Sequence, residues 1–208
     1  IWGSDHIGYI PRMKSIVKAI TNEDNYLEVL TCQIVSLIEN KKKIKMSKRD
    51  GNFVTLENLY KKVGKDPIRY YMISTRNETS IDFDLDNVIQ KNKDNNVFYC
   101  QYAFARATSV INKAKKLDIT YPNQDSINEN FYNYFSKDEI EIILLILTYP
   151  YILYQTSNSL EPHRITNYLE NLSSSFHSIW NQGKDNELLR FIDEKNLEKT
   201  QAKLLWIE

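Results

Sequence analysis

Cysteine is scarce in this chain of 208 residues, which contains only Cys32 and Cys100. Small secreted domains depend on several disulfides, and structural zinc sites need sets of cysteine and histidine at short spacings. With two separated cysteines and three histidines, neither arrangement is present. We therefore interpret both cysteines as reduced core residues of a cytoplasmic protein.

Long apolar runs are missing as well. The longest, residues 142–147, is far shorter than the roughly 20 residues of a membrane-spanning helix, so we expect no membrane partner. The chain opens with Ile1-Trp2-Gly3, without an initiator methionine, a basic start or the apolar core of a signal peptide. This opening suggests a fragment that begins inside a larger protein.

Net charge is zero over the whole chain, but it is unevenly distributed. Residues 1–120 hold 20 Lys and Arg against 14 Asp and Glu, whereas residues 121–208 hold 7 against 13. A polyanion such as RNA or a nucleotide phosphate would therefore meet the N-terminal part first. A compositional accident is the alternative.

The first 54 residues alternate helix and strand signals. Apolar residues recur at helical spacing over 13–20, and residues 27–37 are rich in Val, Ile and Thr, which predicts a strand. A polar, charged break follows at residues 39–43. This order fits the last part of a parallel α/β sheet.

Residues 55–94 contain shorter signals. Thr55 is predicted to cap a helix that Gly64 ends, and Asp66-Pro67 predicts a second helix with Asp66 at its cap. Residues 81–86 alternate acidic and apolar side chains, which predicts a short extended piece or a turn. The three acids imitate a calcium loop, but the glycine and the closing glutamate of such a loop are missing, so we expect no metal.

From residue 95 onward the pattern is helical and predicts an α-bundle. Helices are predicted over residues 97–116, 140–148, 162–182 and 197–208. Ser136 and Glu139 have the spacing of a capping box ahead of the second of these helices. Pro150 is expected to end or kink that helix, and Gly183 to stop the third.

The densest signal for chemistry is the basic segment 41–49, with six cationic side chains in nine positions. Lys45 and Lys48 can bracket a triphosphate, and adenylyl transfer needs such cations to neutralise the departing pyrophosphate. A solvated basic run or a localisation signal is the alternative. Met46 and Ser47 have no purpose in such a signal, and the segment follows a predicted strand, where α/β folds bind ligands.

This segment also resembles a known signature. Lys45-Met46-Ser47-Lys48-Arg49 is similar to the second signature of class I aminoacyl-tRNA synthetases. Three further blocks resemble the arginyl enzymes of that class, in the same order: Trp2-Gly3-Ser4-Asp5-His6-Ile7-Gly8-Tyr9-Ile10-Pro11-Arg12, Ile81-Asp82-Phe83-Asp84-Leu85-Asp86 and Tyr99-Cys100-Gln101-Tyr102-Ala103-Phe104-Ala105-Arg106. Asp50-Gly51-Asn52-Phe53-Val54-Thr55-Leu56, which continues the signature, resembles them too. The blocks cover nearly the whole chain, which makes coincidence a poor explanation.

The resemblance implies a mostly α fold: the C-terminal remnant of a Rossmann-type α/β nucleotide-binding domain followed by an α-helical bundle. Residues 1–54 would be the end of the catalytic domain, with the signature loop. Residues 55–94 would be a connecting segment that contacts the tRNA stem. Residues 95–208 would be the helical anticodon-binding domain, incomplete at its C-terminus.

The resemblance also implies roles for single residues. Lys45 and Lys48 would be catalytic, with Lys48 stabilising the transition state of amino-acid activation. ATP-binding residues would be Gly3, Asp5, His6, Ile44, Ser47 and Arg49. His6-Ile7-Gly8-Tyr9 imitates the other class I signature, His-x-Gly-His, but it ends in tyrosine and lies 39 residues before Lys45. That signature and most arginine-specificity residues are therefore expected outside this chain.

A second constellation lies on the helix over 97–116. Tyr99, Tyr102 and Arg106 fall at i, i+3 and i+7, so they share one helix face on which RNA bases could stack. Ordinary core packing is the alternative for the tyrosines. The resemblance implies that these three residues bind tRNA, together with Phe176 and Trp180. For Phe176 a core stripe with Leu172 and Ile179 is a strong alternative, and we interpret His177 as structural.

We therefore expect an arginine–tRNA ligase, present here as a fragment that lacks the first half of its active site. Its substrates would be ATP with magnesium, L-arginine and the tRNA for arginine, with no protein-bound metal, and we expect a monomer. Two alternatives stay open: an RNA-binding module without catalysis, and a class I ligase for another amino acid, such as the cysteinyl enzyme.

We predict that Lys48→Ala in the whole protein strongly lowers ATP–pyrophosphate exchange, because the charge that stabilises the departing pyrophosphate is removed. The affinity for tRNA should stay nearly unchanged, as a filter-binding measurement would show. An equal loss of both activities would contradict this division of roles.

Overall fold

Short strands and long helices make up the computed structural model of the chain, which describes residues 1–44, 54–122, 127 and 129–207. The chain divides into two units. Unit 1 comprises Ile1–Lys91 with Ser159–Thr166, and unit 2 comprises Asn92–Asn158 with Asn167–Glu208. The predicted fold class, an α/β remnant followed by helices, is confirmed.

Unit 1 contains two small sheets. In the first, β1 (Trp2–Gly3) pairs in parallel with β2 (Thr31–Cys32). In the second, β3 (Val35–Glu39) lies between β4 (Lys42–Lys43), which is antiparallel to it, and β5 (Ile81–Asp84), which is parallel. The parallel pairs are those expected of an α/β sheet.

The single strand predicted over residues 27–37 is wrong. The structure divides this region between β2 and β3, which belong to different sheets. At the break, the Gln33 backbone N–H donates to Asn77 O at 2.9 Å, away from either ladder. Alternating Val, Ile and Thr cannot reveal a change of sheet, because both strands keep the same residue preferences.

The charged break at residues 39–43 is a tight β3–β4 hairpin. Asn40 and Lys41 both have positive φ, 51° and 60°, as a two-residue type I′ turn requires. The Asn40 backbone N–H also donates to Asp86 Oδ2 at 2.6 Å. Part of the basic segment is therefore an ordered strand, β4, rather than loop.

Three helices complete unit 1: α1 (Ile10–Thr21), α2 (Leu56–Val63) and α3 (Lys65–Ile73). Thr55 caps α2 as predicted, because its Oγ1 accepts from the Asn58 N–H at 3.1 Å. The predicted cap of α3 is wrong. Gly64, at φ 83°, turns the chain directly from α2 into α3 and precedes Lys65, so Asp66 already lies inside the helix.

An apolar cluster forms the core of unit 1 and fixes both flanks of the predicted phosphate loop. Its buried members are Leu37, Leu59, Val63, Phe83, Leu85 and Val88. Ile44 and Val54, which flank residues 45–53, both pack against this cluster. The Ile44 N–H also donates to Leu37 O at 2.8 Å. The two flanks are therefore anchored on one core.

Unit 2 is helical, as predicted. Its helices are α4 (Asn96–Lys116), α5 (Lys137–Leu147), α6 (Tyr149–Ser159), α7 (His163–Asp185) and α8 (Leu197–Ile207); the last residue of α6 and the first four of α7 are assigned to unit 1. The capping box at Ser136 and Glu139 is formed, and the helix it opens ends before Pro150. No strand occurs among the described residues after β5.

Gly183 does not stop α7, contrary to the prediction, since the helix continues to Asp185. A Cβ at Gly183 would lie 3.3 Å from Leu189 O, and Gly183 has no left-handed φ. The glycine therefore lets the following segment pass close to the helix. Sequence alone does not separate this use of glycine from a C-cap.

Aromatic rings fill the core of unit 2. The rings of Phe176 and Phe191 stack with centroids 5.7 Å apart, and Trp206 meets Phe191 at 5.6 Å. Nearby, Lys203 of α8 and Glu139 of α5 form an ion pair at 2.9 Å, and both side chains are only 1% exposed. This pair joins α8 to the first turn of α5.

The apolar stretch that spans α5 and α6 is longer than the run at residues 142–147 suggested from the sequence. Residues Lys137–Ser159 are long and apolar enough to cross a membrane, by length and composition only. One such stretch is weak evidence, because the core helix of a folded domain meets the same test. Glu139, at its start, is engaged with Lys203 inside unit 2.

We predict that Lys203→Met lowers the free energy of unfolding by about 3 kcal/mol or more, because it leaves the Glu139 carboxylate buried without its partner charge. Urea unfolding followed by tryptophan fluorescence would measure this. The matched control is Lys137→Met, which removes an exposed ion pair with Glu141 at 3.7 Å and should change stability by less than about 1 kcal/mol. Equal effects would show that burial of the pair is unimportant.

Candidate nucleic-acid interface

Five side chains from two helices form a cation–aromatic group, which we call the α4–α7 cluster. Its members are Tyr99, Tyr102 and Arg106 of α4 and His177 and Trp180 of α7. The Arg106 Cζ lies 4.1 Å from the centroid of the Tyr102 ring and 5.0 Å from that of Trp180. Such distances are those of cation–π contacts.

Helical periodicity explains why these side chains meet. On α4 the spacing i, i+3, i+7 places Tyr99, Tyr102 and Arg106 along one face, as predicted from the sequence. On α7, His177 and Trp180 are three apart and lie on the face that meets α4. The rings of Tyr99 and His177 approach to 4.3 Å between centroids.

Part of the cluster is open to solvent. Tyr102 is 42% exposed, while Arg106 and Trp180 are half-buried. Tyr102 also stacks on Phe98, with centroids 5.6 Å apart and planes at 14°. A flat, partly exposed aromatic surface with a guanidinium is the kind of surface on which unpaired bases stack.

Phe176, which was also predicted to bind tRNA, is not part of the α4–α7 cluster. It is 6% exposed and packs between Phe191 and Trp206 in the core of unit 2. Of the two interpretations left open by the sequence, its burial favours the core stripe. Trp180 contacts the same core through Phe191, at 5.9 Å between ring centroids, but also reaches Arg106.

His177 is the residue whose role the sequence missed. It was interpreted as structural, and it is indeed buried, at 4% exposure, but both of its ring nitrogens have partners that no sequence pattern indicated. Its Nδ1 lies 2.8 Å from Arg106 Nη1 and its Nε2 lies 3.1 Å from Tyr99 O. Burial lowers the pKa of His177, and the charge of Arg106 lowers it further, although the hydrogen bond to Tyr99 acts in the opposite direction.

The residues predicted near ATP at the start of the chain surround the end of β1. Gly3 ends β1, and Asp5 and His6 lie in the 3-10 turn Ser4–Tyr9 that follows it. Because β1 and β2 are parallel, this turn lies at the carboxyl edge of the pair, where α/β folds bind ligands. Ser4 Oγ donates to Gln33 Oε1 at 3.0 Å, which links the two strand ends.

An open cavity of about 530 Å³ lies beside this turn. It is lined by Trp2, His6, Tyr9 and Met13. The His6 ring lies 6.5 Å from the Trp2 ring and 6.0 Å from the Tyr9 ring, between centroids. His6 therefore belongs to an aromatic wall, a setting that suits contact with a planar ligand.

Lys45, Ser47, Lys48 and Arg49 lie outside the described residues. Ile44 is described, and its backbone is fixed to β3 through Leu37 O. The roles assigned to these residues stay predictions.

The acids at 82, 84 and 86 have structural partners. Asp82 forms an ion pair with Lys43 at 2.9 Å. Asp84 Oδ1 accepts from the backbone N–H groups of residues 86 and 87, and Asp86 accepts from Asn40. Among the residues that the structure describes, no group of three His, Cys, Asp or Glu side chains could hold a metal ion.

Two family descriptions match this chain. Residues 100–208 match the DALR anticodon binding domain, and residues 1–84 match tRNA synthetases class I (I, L, M and V). The first match covers more than half of the chain and contains Tyr102, Arg106, His177 and Trp180.

Curated relatives align over almost the whole chain. Arginine–tRNA ligase of Rickettsia peacockii is 42% identical over 205 residues, covering 98% of this chain and 36% of the relative. The ligase of the same name from Azorhizobium caulinodans is 39% identical over 206 residues, covering 98% of this chain and 35% of the relative. The chain thus spans about a third of the length of these relatives.

Solved structures agree. A protein described as an arginyl t-RNA synthetase from Campylobacter jejuni has a TM-score of 0.71 at 29% identity, covering 99% of this chain and 43% of that chain. The arginyl-tRNA synthetase of Plasmodium falciparum shares the fold, with a TM-score of 0.64 at 18% identity, covering 97% of this chain and 36% of that chain.

We predict that His177 makes stability depend on pH. The pKa of His177 is lowered from 6.5 in the folded protein, so below about pH 6.5 the unfolded chain binds more protons at this residue than the folded chain does. The free energy of unfolding therefore falls as the pH drops below that value. Urea unfolding across this pH range should show the decline in the wild type. His177→Asn, which cannot titrate, should show less of it, and identical pH profiles would contradict the assignment.

Proposed function

Because the chain belongs to the arginyl-tRNA synthetase family and contains a DALR anticodon binding domain, we propose that it is part of an arginine–tRNA ligase. This part would contain the second class I signature, residues 45–49, which binds the ATP phosphates, and it would bind the anticodon loop of the tRNA. The whole enzyme would activate L-arginine with ATP and transfer it to its tRNA.

The observation that carries this proposal is the packing of the Arg106 guanidinium against the rings of Tyr102 and Trp180. All three residues lie in the region that matches the anticodon binding domain. Stacking of an unpaired base on such groups contributes roughly 1–3 kcal/mol per base, which is enough to matter for tRNA affinity. Tyr99 would act through its packing against His177.

The catalytic part of the proposal concerns residues 45–53. Lys45 and Lys48 would bind the ATP phosphates, and Lys48 would stabilise the charge that develops on pyrophosphate as the arginine carboxylate attacks. The anchoring of Ile44 and Val54 on one apolar core supports this role, because it fixes where the segment 45–53 begins and ends. Ser47 and Arg49 would add contacts to ATP.

The first residues of the chain would complete this side of the ATP site. Gly3, without a side chain, would let the ligand approach the backbone, and Asp5 and His6 would face the ribose and the amino acid. Magnesium would arrive as part of the ATP complex and supply charge neutralisation at the phosphates.

ATP–pyrophosphate exchange by the whole protein tests the proposed activity. We expect exchange with arginine in the presence of the arginine tRNA, and none with other amino acids. Exchange with a different amino acid would favour a ligase of another specificity. Failure of exchange, together with retained tRNA binding, would favour an RNA-binding module without catalysis.

We predict that Arg106→Ala raises the dissociation constant for tRNA about tenfold, which corresponds to the loss of one stacking contact. Exchange at saturating tRNA should be nearly unchanged. Lys137→Ala is the matched control, because it removes an equal charge from α5, outside the cluster, and should leave the affinity within about twofold. Equal losses of tRNA affinity in both variants would show that Arg106 contributes only through its positive charge.

A further inference from the structure

The hydrogen bonds of His177 determine which of its nitrogens carries the proton. A guanidinium can only donate, so Nδ1 must accept from Arg106 Nη1 at 2.8 Å. A backbone carbonyl can only accept, so Nε2 must donate to Tyr99 O at 3.1 Å. Only the neutral tautomer with its proton on Nε2 satisfies both contacts.

We propose that His177 is a positioning residue for RNA recognition, which as this neutral tautomer holds the Arg106 guanidinium against Tyr102 and Trp180 for base stacking. This inference rests on the proposed tRNA-binding function. His177 itself is buried, so it would act through Arg106 and not by touching RNA.

Histidine suits this position better than a carboxylate would. Arginine has a long, mobile side chain, and ordering it before RNA arrives lowers the entropy cost of binding. Arg106 forms no ion pair with an acid among the residues that the structure describes. A neutral imidazole therefore fixes the guanidinium and leaves its positive charge available to a polyanion.

The arrangement predicts an unusual response to acid. Protonation of Nδ1 would place an N–H group against an N–H group of Arg106 and add a repelling charge, so the guanidinium would leave its place. Among the residues that the structure describes, the charged or titratable groups in contact with His177 are Arg106 and the phenols of Tyr99 and Tyr102. Added positive charge normally strengthens RNA binding, whereas here it should weaken it.

The test is a tRNA-binding measurement with the whole protein and two variants at two pH values. One is about pH 7.5, and the other is about pH 5, well below the ordinary histidine pKa, because burial lowers the pKa of His177. His177→Phe keeps a ring but loses the acceptor, and we expect affinity for the arginine tRNA to fall about tenfold at both pH values. His177→Asn places an amide oxygen where Nδ1 lies and cannot titrate. It should bind like the wild type at the higher pH and lose less affinity on acidification.

A double variant separates positioning from a general structural role. In the Arg106→Ala background, His177→Phe should have no further effect on tRNA affinity, because the group it positions is gone. A full additional loss would overturn the proposal, as would wild-type affinity in His177→Phe alone. In both cases the proposed function would stand.

A second readout needs no RNA. Nitrogen-15 NMR of the His177 ring should show a protonated Nε2 and an unprotonated Nδ1 near neutral pH, and the opposite tautomer would overturn the proposal. If the wild type bound no arginine tRNA at all, the proposed function would fail and the positioning role for RNA with it.

Discussion

The buried ion pair between Glu139 and Lys203 constrains how α5 and α8 pack together in unit 2. Glu139 also closes the capping box of α5, so one carboxylate stabilises a helix start and holds α8 in place. Trp206, one turn further along α8, packs against Phe176 and Phe191 and so contacts α7. Trp180 lies one turn beyond Phe176, on the helix that this core positions. The partly exposed α4–α7 cluster therefore lies on a helix, α7, that packs against the same aromatic core as α8.

Local features of the chain were predictable from the sequence. The cap at Thr55, the capping box at Ser136 and the common face of Tyr99, Tyr102 and Arg106 are formed as expected. Each depends on residues within about two helical turns, a range over which the spacing of residue types carries the information. The resemblance of the blocks to arginyl enzymes was confirmed by the relatives.

Features that depend on distant partners were missed. The strand predicted over 27–37 breaks where the chain changes sheet, and Gly183 accommodates a neighbouring segment. For Phe176 the sequence left core packing and tRNA contact both open, and rings from two other segments bury it. His177 lies 71 residues from Arg106 along the chain, so no local pattern could show that they are bonded. The contact between His177 and Arg106 therefore could not be predicted from the sequence.

The proposed function requires the partly exposed face of the α4–α7 cluster to contact the tRNA. Ultraviolet cross-linking of the whole protein to arginine tRNA, with the linked residues identified by mass spectrometry, tests this most directly. We expect cross-links from anticodon-loop bases to Tyr102 or Trp180. Cross-links confined to other parts of unit 2, from a protein that still charges its tRNA with arginine, would contradict it.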